Sequence, residues 1–94
     1  MYLIKRTKDF AKSFEKLKRA GLTKSKRETI EFVVDTLASG KKLSHRHKDH
    51  QLKGELASYR ECHIFNDLLL VYKIENDELI LVLVDIGSHS QIFE

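Results

Sequence analysis

Three apolar runs, broken twice by the dipeptide Asn-Asp, dominate the second half of the chain. They occupy residues 59–65, 68–75 and 78–86, with breaks at Asn66-Asp67 and Asn76-Asp77. Leu, Ile, Val and Tyr dominate each run, as in strands. Asn and Asp tolerate the left-handed conformations that hairpin turns need. Residues 59–86 are therefore expected to form an antiparallel meander. The last run is apolar at Leu79, Leu81 and Leu83 and also at Ile80, Val82 and Val84. Apolar residues on both faces predict a central strand.

The first half has a helical period. Residues 2–5 suit a short opening strand. Thr7 is a candidate N-cap with Asp9 in the first turn. Phe10, Phe14 and Leu17 then recur at i, i+4 and i+7, and Gly21 ends the pattern. Ser25-Lys26-Arg27-Glu28 has the form of a capping box. Ile30, Val33, Val34 and Leu37 give a second stripe that stops near Ser39-Gly40. The short link between the stripes predicts an αα-hairpin. Residues 41–54 have no period, and they hold five Lys/Arg and three His. They are expected to form a long loop with at most a turn of helix. The order β-α-α-β-β-β predicts an α+β fold. An N-terminal strand and a helical hairpin pack on a small antiparallel sheet.

Ninety-four residues make one domain spanning 1–94, too short for a full Rossmann domain or a TIM barrel. No apolar run approaches the ~18 residues of a membrane span. The N-terminus lacks the apolar core of a signal peptide, so a cytoplasmic location is expected. The single cysteine, Cys62, excludes an intrachain disulfide and a cysteine-based zinc cluster. It is expected in the core, facing away from His63.

Charge is divided along the chain. Residues 1–54 hold fifteen Lys/Arg against six Asp/Glu, and residues 55–94 hold two against eight. A basic half suits a polyanion or an acidic protein partner, although a lysine-rich solvated helix face would look the same.

Five histidines, His45, His47, His50, His63 and His89, are the main chemical resource. Near neutral pH, histidine gives or takes a proton. Metal-free RNA cleavage needs a base for the ribose 2′-OH, an acid for the leaving 5′-oxygen, and a cation for the charged phosphorane. Convergent histidines beside Lys or Arg supply all three. Each also has a plain structural role to weigh. His45 and His47 lie in a basic loop and are expected in solvent. His63 shares a strand face with Tyr59, Glu61 and Phe65 and would suit a half-buried position. Asp67 suits a turn. The spacing His45-x-His47-x-x-His50 offers nitrogen ligands but only Asp49 beside them, so no metal site is expected.

Three ordered segments carry a resemblance that covers nearly the whole chain. They are Asp49-His50-x-Leu52-x-Gly54, then Tyr59-Arg60-x-x-His63-x-x-x-Asp67, then Gly87-Ser88-His89-x-x-x-Phe93. Together they resemble the YafQ family of type II toxins, in the RelE/ParE superfamily. The resemblance implies a RelE-like fold and a ribosome-dependent endoribonuclease, an mRNA interferase that uses no metal or other cofactor. It implies an antitoxin partner of the DinJ/RelB type, with the toxin–antitoxin complex binding operator DNA. The family's active-site positions fall on His50, His63, Asp67 and His89, and its C-terminal aromatic falls on Phe93. His50 and His89 are then the candidates for proton transfer, and His63 and Asp67 for binding or orienting the nucleotide. Lys53 and Arg60 are candidate phosphate contacts, and Phe93 a base-stacking surface. Asp85 stands where the family usually has an arginine, and Leu68 where an aromatic often follows the aspartate. Two alternative functions follow from these departures and from the superfamily. One is a catalytically weak homologue acting mainly as an antitoxin- and operator-binding module. The other is a ParE-like inhibitor of DNA gyrase, which would need no proton-transfer residues.

Overall fold

The computed structural model describes residues 1–93. Strand β1 (Leu3–Arg6) leads into helices α1 (Lys8–Arg19) and α2 (Lys24–Ala38). A basic segment follows, with a 3₁₀ turn at His45–His47, the short strand β2 (His50–Gln51) and a second 3₁₀ turn at Gly54–Leu56. The meander is β3 (Arg60–Phe65), β4 (Leu68–Glu75) and β5 (Ile80–Gly87), and α3 (His89–Phe93) follows it. No helix among the described residues is long and apolar enough to cross a membrane.

The five strands form one sheet in the order β1-β5-β4-β3-β2. The meander and β2 pair antiparallel, as the turn chemistry predicts, whereas β1 runs parallel to β5. The helical hairpin carries the chain from β1 at one edge of the sheet to β2 at the other, and the meander brings β5 back beside β1. Between β1 and β4, β5 is internal, consistent with its two apolar faces.

Thr7 caps α1 as expected and also fastens it to the sheet. Its hydroxyl accepts from the Phe10 N–H at 3.0 Å and donates to the Val84 carbonyl at 2.6 Å. The second helix starts two residues before the expected capping box. Thr23, not Ser25, accepts from the Lys26 N–H at 3.2 Å, so Ser25 and Glu28 lie within α2. Phe10, Ile30, Val33 and Leu37 from the helices meet Cys62, Ile64, Leu70, Tyr72, Leu81, Leu83 and Ile86 of the sheet to form the core.

The turns differ in length. Asn66 takes φ +40° in a two-residue connection, with Phe65 paired to Leu68. The β4–β5 connection takes four residues, and Leu79 closes it at φ +55°. Leu79 therefore lies in the turn and is 56% exposed, outside the strand face expected for it. Register shifts mark bulges at Ile64 in β3 and between Leu83 and Asp85 in β5, on either side of β4. A bulge re-aims the residues after it and raises local twist. Both lie toward the end of the sheet that carries the histidines.

Candidate functional site

Strand alternation assigns each candidate to a face. Residues 60, 62 and 64 of β3 turn toward the helices, and residues 61 and 63 turn away. Past the bulge, Phe65 leaves the face expected for it and packs on the core side, with the Lys26 ammonium of α2 5.4 Å from its ring. The cross-strand row His63–Leu69–Gly87 therefore lies on the helix-free face. The next row joins His50, Glu61, Val71 and Asp85 across β2 to β5. Asp67 sits in the β3–β4 turn, and His89 follows Gly87. Three segments distant in sequence, at His50, at His63 to Asp67 and at His89, thus converge toward one end of one sheet face.

Glu61 organises the first part of this site. Its side chain is 7% exposed, and its Oε1 lies 3.7 Å from the Nε2 atoms of both His50 and His63. These are ion-pair distances, longer than hydrogen bonds. A buried carboxylate is costly without positive or hydrogen-bonding partners, and the two imidazole rings are the groups that flank it. The Nδ1 atom of His50 is 2.7 Å from the Lys48 carbonyl. A carbonyl only accepts, so Nδ1 carries the hydrogen, and the lone pair of the neutral ring is on Nε2.

The second part is built on α3. The Asp67 carboxylate accepts from the His89 N–H at 3.3 Å. Ser88 and Gln91 form a reciprocal capping box. The Gln91 N–H donates to Ser88 Oγ at 3.2 Å, and the Ser88 N–H to Gln91 Oε1 at 2.9 Å. A Cβ on Gly87 would stand 2.9 Å from that Oε1, so glycine permits the close approach. His89 and Phe93 face each other with ring centroids 5.1 Å apart. Phe93 also lines a cleft of about 240 Å³ with Leu52, Leu56, Tyr59 and Val71.

Three sequence expectations change. Arg60 shares a face with Cys62, opposite the histidines, and is not placed to contact a phosphate bound there. Its guanidinium pairs with Asp49 at 3.3 Å, and its Nε lies 3.3 Å from the Tyr72 hydroxyl. Burial opposes the Arg60 charge, but hydrogen bonds to Tyr72 and Asp49 outweigh it and raise its pKa. Burial and the Asp49 hydrogen bond likewise push the Tyr72 phenol up. His47 is 2% exposed, not solvated, whereas His45 is exposed. Asp85 does not confront the histidines with a free carboxylate. Its Oδ1 accepts from Ser13 Oγ at 2.7 Å and from the Ile86 N–H at 2.8 Å, joining β5 to α1.

Lys53 is exposed beside the second 3₁₀ turn. Lys73 is a cation that sequence reasoning passed over. It lies two residues beyond Val71 on the histidine face, with its ammonium 5.7 Å from the Tyr59 ring and 3.2 Å from Glu75. Cys62 is fully buried, and burial pushes its thiol up to about 12, so it supplies no thiolate near neutral pH. Among the described residues, no group of three His, Cys, Asp or Glu is arranged to hold a metal ion.

Comparisons with known proteins identify the family and the fold. Residues 2–94 match the family described as the bacterial toxin of type II toxin–antitoxin systems, YafQ. A Haemophilus influenzae protein named "Putative toxin YafQ" is 43% identical over 54 residues, which are 53% of each chain, so the match spans about half of that relative. A metal-bound toxin from Helicobacter pylori superposes with a TM-score of 0.89 at 42% identity, covering 99% of this chain and 100% of the other. The E. coli DinJ–YafQ complex gives a TM-score of 0.85 at 21% identity, with both chains fully covered, and shares the fold. The matched family model spans nearly the whole sequence, and the chain belongs to the YafQ family of type II toxin–antitoxin toxins.

Proposed function

We propose that this toxin is a ribosome-dependent endoribonuclease that cleaves mRNA by metal-independent acid–base catalysis. The observation that carries the reading is the arrangement at His50. Its Nδ1 is committed to the Lys48 carbonyl, leaving Nε2 as the free base beside the buried Glu61. In the neutral ring, Nε2 takes the proton from a ribose 2′-OH, and the oxygen attacks the adjacent phosphorus. His89, exposed at the start of α3, returns a proton to the leaving 5′-oxygen. The products are a 2′,3′-cyclic phosphate and a 5′-hydroxyl. Glu61 stabilises the imidazolium formed at His50. His63 and Asp67 orient the nucleotide, Phe93 stacks a base, and Lys53 and Lys73 supply positive charge for the phosphorane.

The same reading makes residues 1–94 one cytoplasmic toxin domain. Its partners are an antitoxin of the DinJ/RelB type, the ribosome and mRNA, and operator DNA when the toxin is in complex. The DinJ–YafQ assembly supports the antitoxin partner. The test is to induce wild type and His50→Ala from a tight promoter and map 5′ ends on a translated reporter. In-frame cuts with wild type alone support the proposal. Absence of cuts with soluble wild type favours the non-catalytic antitoxin-binding alternative.

One comparison bears on metal. The H. pylori relative is a metal-bound toxin. Here His50, Glu61 and His63 are not arranged as a three-donor site, and the Nε2 atoms of His50 and His63 are the imidazole nitrogens that an added zinc ion would meet. A metal there would occupy the Nε2 atoms that the proposed chemistry needs. EDTA is therefore expected to preserve cleavage and zinc to inhibit it. Cleavage lost in EDTA and restored by zinc contradicts the metal-free mechanism.

A further inference from the structure

His47 lies outside the proton-transfer set, yet it and Glu61 are the buried polar residues among those described. Its Nδ1 is 2.7 Å from the His63 carbonyl oxygen. Because the carbonyl only accepts, Nδ1 carries the hydrogen and Nε2 the lone pair. That Nε2 is buried with no hydrogen-bond partner. An apolar side chain would fill the position without orphaning an atom, so histidine here is explained by the one bond it makes.

That bond crosses a gap in the sheet. Strand β2 pairs with β3 only at Arg60 and Glu61. Beyond them, the 3₁₀ turn His45–His47 packs against β3. One residue after His47, Lys48 turns left-handed at φ +46°, and its carbonyl holds the His50 ring. Asp49, between them, is held from the other face by Arg60 and Tyr72. Within residues 47–50, His47 makes the side-chain bond that ties the segment to the His63 backbone.

We propose that His47 is a positioning residue that sets the His50 ring relative to His63 by donating from Nδ1 to the His63 carbonyl. Its catalytic consequence rests on the ribonuclease reading, whereas its effect on the His50 ring does not. His47→Asn places an amide donor near the position of Nδ1. His47→Leu keeps bulk and removes the donor, and His47→Gln carries the donor further out, near the position of Nε2.

Ring-nitrogen NMR of the free protein reads the His50 tautomer without any substrate. Wild type and His47→Asn are expected to hold a single His50 tautomer with hydrogen on Nδ1, and His47→Leu a mixture. In cleavage of ribosome-bound mRNA, His47→Leu is expected to lose about a hundredfold in kcat with KM little changed, the scale of a reacting group displaced by about 1 Å. His47→Asn should restore most of that loss. A folded His47→Leu with a wild-type His50 tautomer overturns the proposal, as does an Asn variant no better than Leu. If His47→Leu does not fold, Asn against Gln decides it: wild-type tautomers in both overturn it, and a defect confined to Gln supports it. If wild type cuts no RNA, the ribonuclease reading fails while the tautomer comparison still decides this proposal.

Discussion

The two faces of the sheet are built from the same strands and do opposite work. Toward the helices, β3 and β4 present Cys62, Ile64, Leu70 and Tyr72. On the other face they present Glu61, His63, Leu69, Val71 and Lys73. Neighbours such as Cys62 and His63 thus face the core and the candidate site in alternation. The helix-covered face tolerates little polarity because burial drives folding there. The other face keeps a buried carboxylate between two histidines, an arrangement of little value to stability. Helix α3 and the segment after β2 cover the second face only in part, which leaves His50 and His89 exposed.

The contrast is tested most strongly by separating activity from stability. His50→Ala and His89→Ala are expected to lower cleavage by about 10²–10⁴-fold, the usual contribution of a general acid or base. Their unfolding free energies should stay within about 0.5 kcal/mol of wild type, because both rings are largely exposed. Paired kinetics and urea titrations check this, and toxicity that persists in both variants removes the mechanism. The opposite face should give the opposite result. Leu81→Ala is expected to cost about 2–5 kcal/mol, measured by the urea midpoint. Activity should fall only in proportion to the unfolded fraction.

Smaller effects sharpen the comparison. Asp85→Ala should cost about 1–3 kcal/mol through the bonds lost at Ser13 and Ile86. Asp85→Asn should be close to neutral, because an amide oxygen can accept both. Asp85→Arg, which would raise cleavage if the site merely lacked a cation, is expected to destabilise the α1–β5 junction. A thermal melt distinguishes these variants. The effect of Cys62 is confined to high pH. Its folded pKa of about 12 exceeds the ordinary value of 9.0. Its contribution to stability is full below pH 9 and is lost as pH rises from 9 toward 12, at up to about 1.4 kcal/mol per pH unit. Stability profiles of wild type and Cys62→Ala should diverge only above pH 9.

Much of the helix-covered face is legible in the sequence, because burial leaves a period. Phe10, Ile30, Val33 and Leu37 repeat at helical spacing, and the meander residues alternate. The face of Arg60 is also legible, since it shares the parity of Cys62 and Ile64. The Ser88–Gln91 capping box likewise has a recognisable sequence pattern. Other features are set by contacts between distant segments. Alternation places Glu61 on the face of His63, but it does not reveal that β2 pairs there and that the carboxylate is buried. The aperiodic loop gives no signal that His47 is inside. The irregular register before Asp85 and the end of β1 at Arg6 bring that carboxylate to Ser13, which no local pattern encodes.

The central claim is that the histidine-bearing face cleaves mRNA on the ribosome. The most direct measurement is 5′-end mapping of a translated reporter mRNA with purified ribosomes and wild type, His50→Ala or His89→Ala in EDTA-containing buffer. Magnesium is kept in excess of EDTA for the ribosomes. The account predicts in-frame cuts ending in 5′-hydroxyls with wild type and their loss in both folded variants. Equal cutting by all three proteins would contradict it.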